Sequence, residues 1–184
     1  MAQLVTLEQV RTQIDDHSTD NIVELGLYID AATEAVERFT GPVLNREVTE
    51  KVNARGTRLA LTQVPVVALA SITPVLTGGS AVEVAELDLD GDTGVVTRLD
   101  GSQFYGGPWT VTYTAGRGET VPATIQLAAL LLIHHLWRTK YGSARGMGSQ
   151  DDFSVTEPIP GFGYAVPNRV LTLLEPYTQP PGIA

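Results

Sequence analysis

The chain has 184 residues, 43% of them hydrophobic, no cysteine, three histidines and a formal net charge of −9. That length holds one core, or one core with a small inserted module, and the apolar content excludes a disordered chain. The absence of Cys excludes disulfides, thiolate zinc sites and a Cys nucleophile, and only 12 Lys and Arg leave no basic stripe for sticky or sequence-reading DNA binding.

The N-terminal MAQLVTLEQV lacks the basic flank and apolar stretch of a signal peptide. The longest apolar block, around Ala128–Ile133, falls short of the roughly 20 residues a membrane span needs. The expectation is a soluble protein made in the cytoplasm. Thr6-Leu7-Glu8-Gln9 fits a capping box, with Val5 and Val10 placed as a hydrophobic staple. Leu7, Val10 and Ile14 repeat at helical spacing, which predicts a helix over 7–16. Asp20 or Asn21 caps a second helix, over 20–40, with Glu24 near its positive end. Its core stripe is Ile22, Leu25, Ile29, Ala32, Val36 and Phe39, widened by Tyr28 and Ala35, and Gly41-Pro42 stops it.

From about Glu47 to Thr114 the apolar period changes to two. Val48, Val52, Leu59, Leu61, Val64, Val66, Val67, Ile72 and Val75 fall in short segments broken by Pro65, Pro74 and Gly78-Gly79. Val82–Leu87 and Val95–Leu99 flank Asp90-Gly91-Asp92, a hairpin in which Gly supplies positive φ. Residues 81–100 carry Glu83, Glu86, Asp88, Asp90, Asp92 and Asp100 against Arg98, a net −5. A strand then alternates Val111 and Tyr113 with Thr112 and Thr114, and stops at Ala115-Gly116.

A third helix is predicted over 122–141, with Pro122 in its first turn, apolar sides nearly all round, Arg138 and Lys140 at its negative end and Gly142 closing it. Residues 142–166 hold five Gly and two Pro without periodicity. Phe153, Ile159, Phe162 and Tyr164 are spaced through that stretch as candidate anchors for a partner, the simpler alternative being a loop folded over its own core. A short helix over 167–174 carries Val170, Leu171, Leu173 and Leu174 on nearly every face, and Tyr177 follows in a Pro-rich tail. These residues complete the candidate partner interface.

Candidate chemistry is sparse. Asp88, Asp90 and Asp92 occupy the first three slots of a calcium loop, but its sixth and twelfth slots would be Thr93 and Leu99, so a charged turn facing water is the simpler reading. His134 and His135 point about 100° apart on a helix and cannot share one metal. No Gly-x-Ser-x-Gly elbow or phosphate loop is present. Phe104, Tyr105 and Trp109 either line a ligand groove or pack at a sheet edge. The expectation is a protein with no catalytic residue, cofactor or metal.

Three stretches resemble the head–tail connector (portal adaptor) family of long-tailed double-stranded-DNA phages. They are VTLEQV leading to YIDAATEAVERFTG within Leu4–Leu44, the joint VTYTAGRG followed by VP and LLIHHLW, and the ending RVLTLLEPY. The resemblance implies an α+β fold in which a small helical bundle, residues 1–45 and 117–184 with an extended loop 142–166, carries an antiparallel β-rich insertion, residues 46–116. It also implies a structural virion protein at the head–tail junction, assembled in the host cytoplasm. Such a protein forms a ring of twelve copies on the portal, extends the channel through which double-stranded DNA passes, and docks a stopper or tail-completion protein. A closed ring of an acidic protein would give a lumen that repels the DNA backbone. The alternative from a different class is a calcium- or carbohydrate-dependent binding module, carried by the Asp-rich hairpin and the aromatics around Tyr105 and Trp109.

Overall fold

A computed structural model describes residues 3–76, 80–105, 107–141 and 166–178. The fold is α+β, with four α-helices and two three-stranded antiparallel sheets among the described residues. The chain divides into two compact units, residues 1–40 with 121–184, and residues 41–120.

The first unit holds α1 (Leu7–Ile14), α2 (Ile22–Thr40), α3 (Ala123–Tyr141) and α4 (Asn168–Leu174). The capping box starts α1: Thr6 Oγ1 accepts the Gln9 N–H at 3.2 Å, and Gln9 Oε1 accepts the Thr6 N–H at 2.8 Å. Val5 and Val10 are both buried beside it. The helix ends two residues before the predicted boundary because Asp15 turns left-handed, at φ 55°. In α2 the stripe Leu25, Ile29, Ala32 and Val36 is buried, whereas Ile22, at the helix start, is 39% exposed and Phe39 is half-buried. Gly41, at φ 71°, and Pro42 stop the helix as expected.

Helix α3 runs antiparallel to α2. Trp137 meets Tyr28 edge-on at 6.4 Å between ring centroids, and Lys140 Nζ lies 2.6 Å from Glu24 Oε1. It packs against α1, α2 and α4 and contributes Ile125, Ala128, Ala129, Leu132 and Ile133 to the core. Pro122 sits one residue outside the helix, where its carbonyl accepts the Gln126 N–H, so it is the cap and not the first helical residue. No helix among the described residues is long and apolar enough to cross a membrane.

The second unit holds β1 (Arg46–Val52), β2 (Arg58–Ala60), β3 (Val66–Pro74), β4 (Leu87–Asp90), β5 (Val95–Arg98) and β6 (Trp109–Ala115). One sheet has the order β1-β6-β3 and the other β2-β5-β4. Both feed one cluster that includes Val52, Leu59, Ile72, Val96, Trp109, Val111 and Tyr113. Strand β6 alternates as expected, with Trp109, Val111, Tyr113 and Ala115 buried and Thr110, Thr112 and Thr114 on the other face. Thr112 Oγ1 meets Thr49 Oγ1 of β1 there at 3.0 Å.

Strand β3 departs from simple alternation. Irregularities between Val66 and Ala68 and between Leu69 and Ser71 each add a residue, so Val66, Leu69 and Ile72 share the inner face. Val67 is therefore 48% exposed rather than in the core. The β4–β5 hairpin forms, but its first strand is Leu87–Asp90 and not Val82–Leu87, of which Val84–Glu86 is a 3₁₀ turn, and its positive φ lies at Gly94, at 68°, not at Gly91. Gly91 serves by closeness. Its carbonyl accepts the Val66 N–H at 2.7 Å, and a Cβ there would lie 2.6 Å from the Val66 oxygen.

Gly116, after β6, shows why the YTAGRG segment holds a glycine at that place. Its φ is 148°, and a Cβ would meet Asn45 Oδ1 at 2.5 Å and Asn45 Cα at 2.8 Å. Asn45 Oδ1 also accepts the Gly118 N–H at 3.0 Å, which ties the turn to the start of β1.

Tyr113 supplies the main polar linkage inside this unit. Its hydroxyl donates to Glu50 Oε1 at 2.8 Å and accepts the Gln63 N–H at 3.1 Å, while the other Glu50 oxygen accepts the Thr62 hydroxyl. Burial, with the Glu50 carboxylate adding to it, pushes the phenol up to about 12. A folded-state value above the ordinary 10 means that this contribution is complete below pH 10 and is lost as pH rises through 12. Tyr113→Phe should lower stability at pH 8 by about 1–2 kcal/mol and flatten the decline between pH 10 and 12, read by urea denaturation. An unchanged alkaline decline would place its origin elsewhere.

Candidate assembly surfaces

Helix α4 begins after Pro167, whose carbonyl accepts the Val170 and Leu171 N–H groups, and runs into a 3₁₀ turn over Glu175–Tyr177. Its candidate interface residues divide into two sets. Val170 and Leu174 are each 1% exposed and belong to the chain's own core, whereas Leu171, Leu173 and Tyr177 keep part of their surface open. Phe153, Ile159, Phe162 and Tyr164 lie outside the described residues, as do Gly142 and the rest of 142–165.

Leu171 and Leu174 face Phe39 of α2 across an open cleft of about 300 Å³, rimmed by Asn168, Thr172, Glu175 and Thr178. A second exposed apolar surface lies on α2, where Val23 is 80% and Leu27 65% exposed, next to Ile22 at 39%. The sequence reading did not single out Val23 and Leu27. They sit diametrically opposite the Leu25–Ile29 stripe, and a helical-wheel count of apolar residues off the core face would have marked them.

The acidic hairpin is solvent-facing and internally satisfied. Asp90 Oδ1 accepts the Asp92 and Thr93 N–H groups at 3.2 and 3.4 Å, and its Oδ2 accepts the Thr93 hydroxyl at 2.7 Å. Those bonds, from the Thr93 side chain first, hold its carboxyl below the ordinary carboxylate value. Arg98 binds Asp100 at 3.0 Å and reaches Glu86 at 3.7 Å. No group of three or more His, Cys, Asp or Glu among the described residues is arranged to hold a metal ion. Millimolar calcium is expected to leave the melting temperature unchanged, and a rise reversed by chelator would contradict this reading of the hairpin.

The aromatic residues do not form a binding platform. Trp109 is 2% exposed and packs edge-on against Phe104 at 5.8 Å, whereas Tyr105 is 74% exposed. His134 and His135 are half-buried on α3. Burial lowers both imidazoles, and Arg138 adds to the effect. Any stability that the neutral rings contribute is present above their ordinary value and is lost as pH falls through the lowered one.

The fold is similar to three solved structures. The neck of an empty gene transfer agent particle, computed with C6 symmetry, contains a chain with 19% identity and a TM-score of 0.67, aligned over 97% of this chain and 91% of that one. The neck of the native particle, computed with C12 symmetry, matches at 21% identity and a TM-score of 0.61, over 98% and 95% of the two chains. The virion of the native particle matches at 18% identity and a TM-score of 0.60, over 97% and 91%. Curated protein sequences return no match. The model of the head completion protein family matches residues 3–179. Because that match spans nearly the whole chain and the fold is the one found in particle necks, the chain belongs to the head completion protein family.

Proposed function

We propose that this protein is a structural head–tail connector. It forms a ring on the portal at the head–tail junction of the virion, extends the DNA channel and docks a stopper or tail-completion protein. The observation that carries this reading is the family match over residues 3–179. The neck fold supports it, since related chains occupy necks computed with sixfold and twelvefold symmetry. Twelve copies is the stoichiometry this reading adopts.

In this reading the helical unit is the ring-forming body and the β unit is an insertion. Leu171, Leu173 and Tyr177, together with Phe153, Ile159, Phe162 and Tyr164, are the partner-facing residues. The role is mechanical and not catalytic. A ring of chains each carrying −9 repels the DNA backbone, so double-stranded DNA passes without sequence-specific retention. The protein assembles in the host cytoplasm and remains in the neck. Size-exclusion chromatography with light scattering and negative-stain microscopy, on the protein alone and with portal rings, tests the reading. Closed rings support it. A chain that stays monomeric in both conditions contradicts it.

A further inference from the structure

One edge of the β2–β5–β4 sheet sets two cations side by side. Arg55 and Arg58 flank the turn Gly56-Thr57 and exchange backbone hydrogen bonds, at 2.8 Å from the Arg55 N–H and 3.2 Å from the Arg58 N–H. Residues that exchange both bonds stand directly opposite each other, with their side chains on one face. Both arginines are exposed, and neither side chain has a hydrogen bond or ion pair among the described residues. Like charges directly opposite one another on a sheet are destabilising. The chain carries a net −9 and still sets no carboxylate against this pair.

The same face turns acidic at its other edge. Arg58 pairs with Thr97 of β5 and Thr97 with Asp88 of β4, so Arg55, Arg58, Thr97 and Asp88 form one row across the sheet. Asp90 ends the next row, after Ala60 and Val95. At about 5 Å per position, the Asp88 Cα lies roughly 15 Å from that of Arg55 and roughly 10 Å from that of Arg58. The Asp88 and Asp92 carboxylates are exposed and have no partner among the described residues. The other carboxylates of this stretch are engaged, Asp100 and Glu86 by Arg98 and Asp90 by its own turn.

We propose that the Arg55–Arg58 pair of one copy binds the Asp88 edge of the next copy around the ring. This rests on the ring reading above and adds to it a contact between neighbouring β units. Cations and carboxylates sit at opposite edges of one face, so copies meet head to tail, and such heterologous contacts make rings when the rotation closes. Guanidinium groups suit this partner, because each can grip a carboxylate through two parallel N–H bonds. Duplex DNA fits the face less well, since its phosphates would meet Asp88 and Asp90 on the same side of the sheet.

The chain has no cysteine, so introduced cysteines report contacts without background. Arg55→Cys or Asp88→Cys alone should give no disulfide dimer when rings on portals are mildly oxidised. A mixture of the two should give dimers. The double variant should give a ladder of multimers, because a Cα separation above about 7 Å excludes the bond within one chain. Arg55→Glu with Arg58→Glu should raise the protein concentration needed for ring assembly at least about tenfold, and adding Asp88→Arg with Asp92→Arg should restore it. Lys51→Glu, at another exposed cation of the β unit, should not change it.

Normal rings from the double glutamate variant, with no cross-link between positions 55 and 88, would overturn this contact while leaving the ring reading standing. Lost assembly with neither rescue nor cross-link would overturn it too. Normal rings from that variant that no longer retain DNA would assign the arginines to the DNA backbone, which also overturns it. If the wild-type protein forms no rings, alone or with portal rings, the ring reading itself fails and takes the contact with it.

Discussion

Trp109→Ala is expected to destabilise the β unit by about 3–5 kcal/mol, the usual cost of truncating a buried aromatic side chain. Trp109 is the largest fully buried side chain of the chain, at 2% exposure, and it closes the end of β6 against Phe104. The neighbouring backbone is close as well. A Cβ at Gly107 would lie 2.9 Å from the indole ring, so the backbone there follows the shape of the side chain. Alanine would leave a void between the two sheets that neither can collapse to fill, because β6 is the central strand of its sheet. With a slope of about 2 kcal/mol per molar, the urea midpoint should fall by roughly 2 M. The other tryptophan, Trp137, lies on α3 and remains as a fluorescent reporter of the helical unit. A loss below about 1 kcal/mol would contradict the placement of Trp109 in the core.

The second large effect separates the two sides of α4. Leu174→Ala removes a side chain that is 1% exposed within the chain, and should cost about 2–5 kcal/mol of stability. Leu171→Asp changes a half-buried residue of the cleft, and should cost about 1 kcal/mol or less of stability while weakening assembly at least about tenfold. Deleting the chain after Val166 would not make this distinction. It strips Val170 and Leu174 from the protomer's own core together with the cleft. Melting curves and light scattering on both variants give the result. A Leu171→Asp variant that assembles like the wild type would remove the cleft from the set of assembly surfaces.

Local signals were legible where a single mechanism governs the backbone. The Thr6–Gln9 capping box, the Gly41-Pro42 stop and the alternation of β6 follow from hydrogen-bond accounting, φ preference and period alone. Long-range pairing was not. Strand β6 lies between β1 and β3, and nothing in a periodic pattern states which strand enters which gap. Two irregularities in β3 place Val66, Leu69 and Ile72 on one face at a spacing of three, so a period of two misassigns Val67. The α4 residues show a further limit. A helix of seven residues with four large aliphatic side chains must bury some of them, but sequence spacing does not say whether its own core or a partner takes each one. The exposed apolar surface on α2 was hidden for a related reason, since Val23 and Leu27 stand in a helix whose apolar residues are mostly core.

The most direct measurement of the account is electron cryomicroscopy of necks from particles assembled with and without this chain. With the chain present, a ring of its density should lie between the portal and the tail, surrounding the DNA channel. Without it, DNA-filled heads should accumulate with that ring missing and no tail attached. Necks of unchanged density and tailed particles assembled in its absence would contradict the connector role.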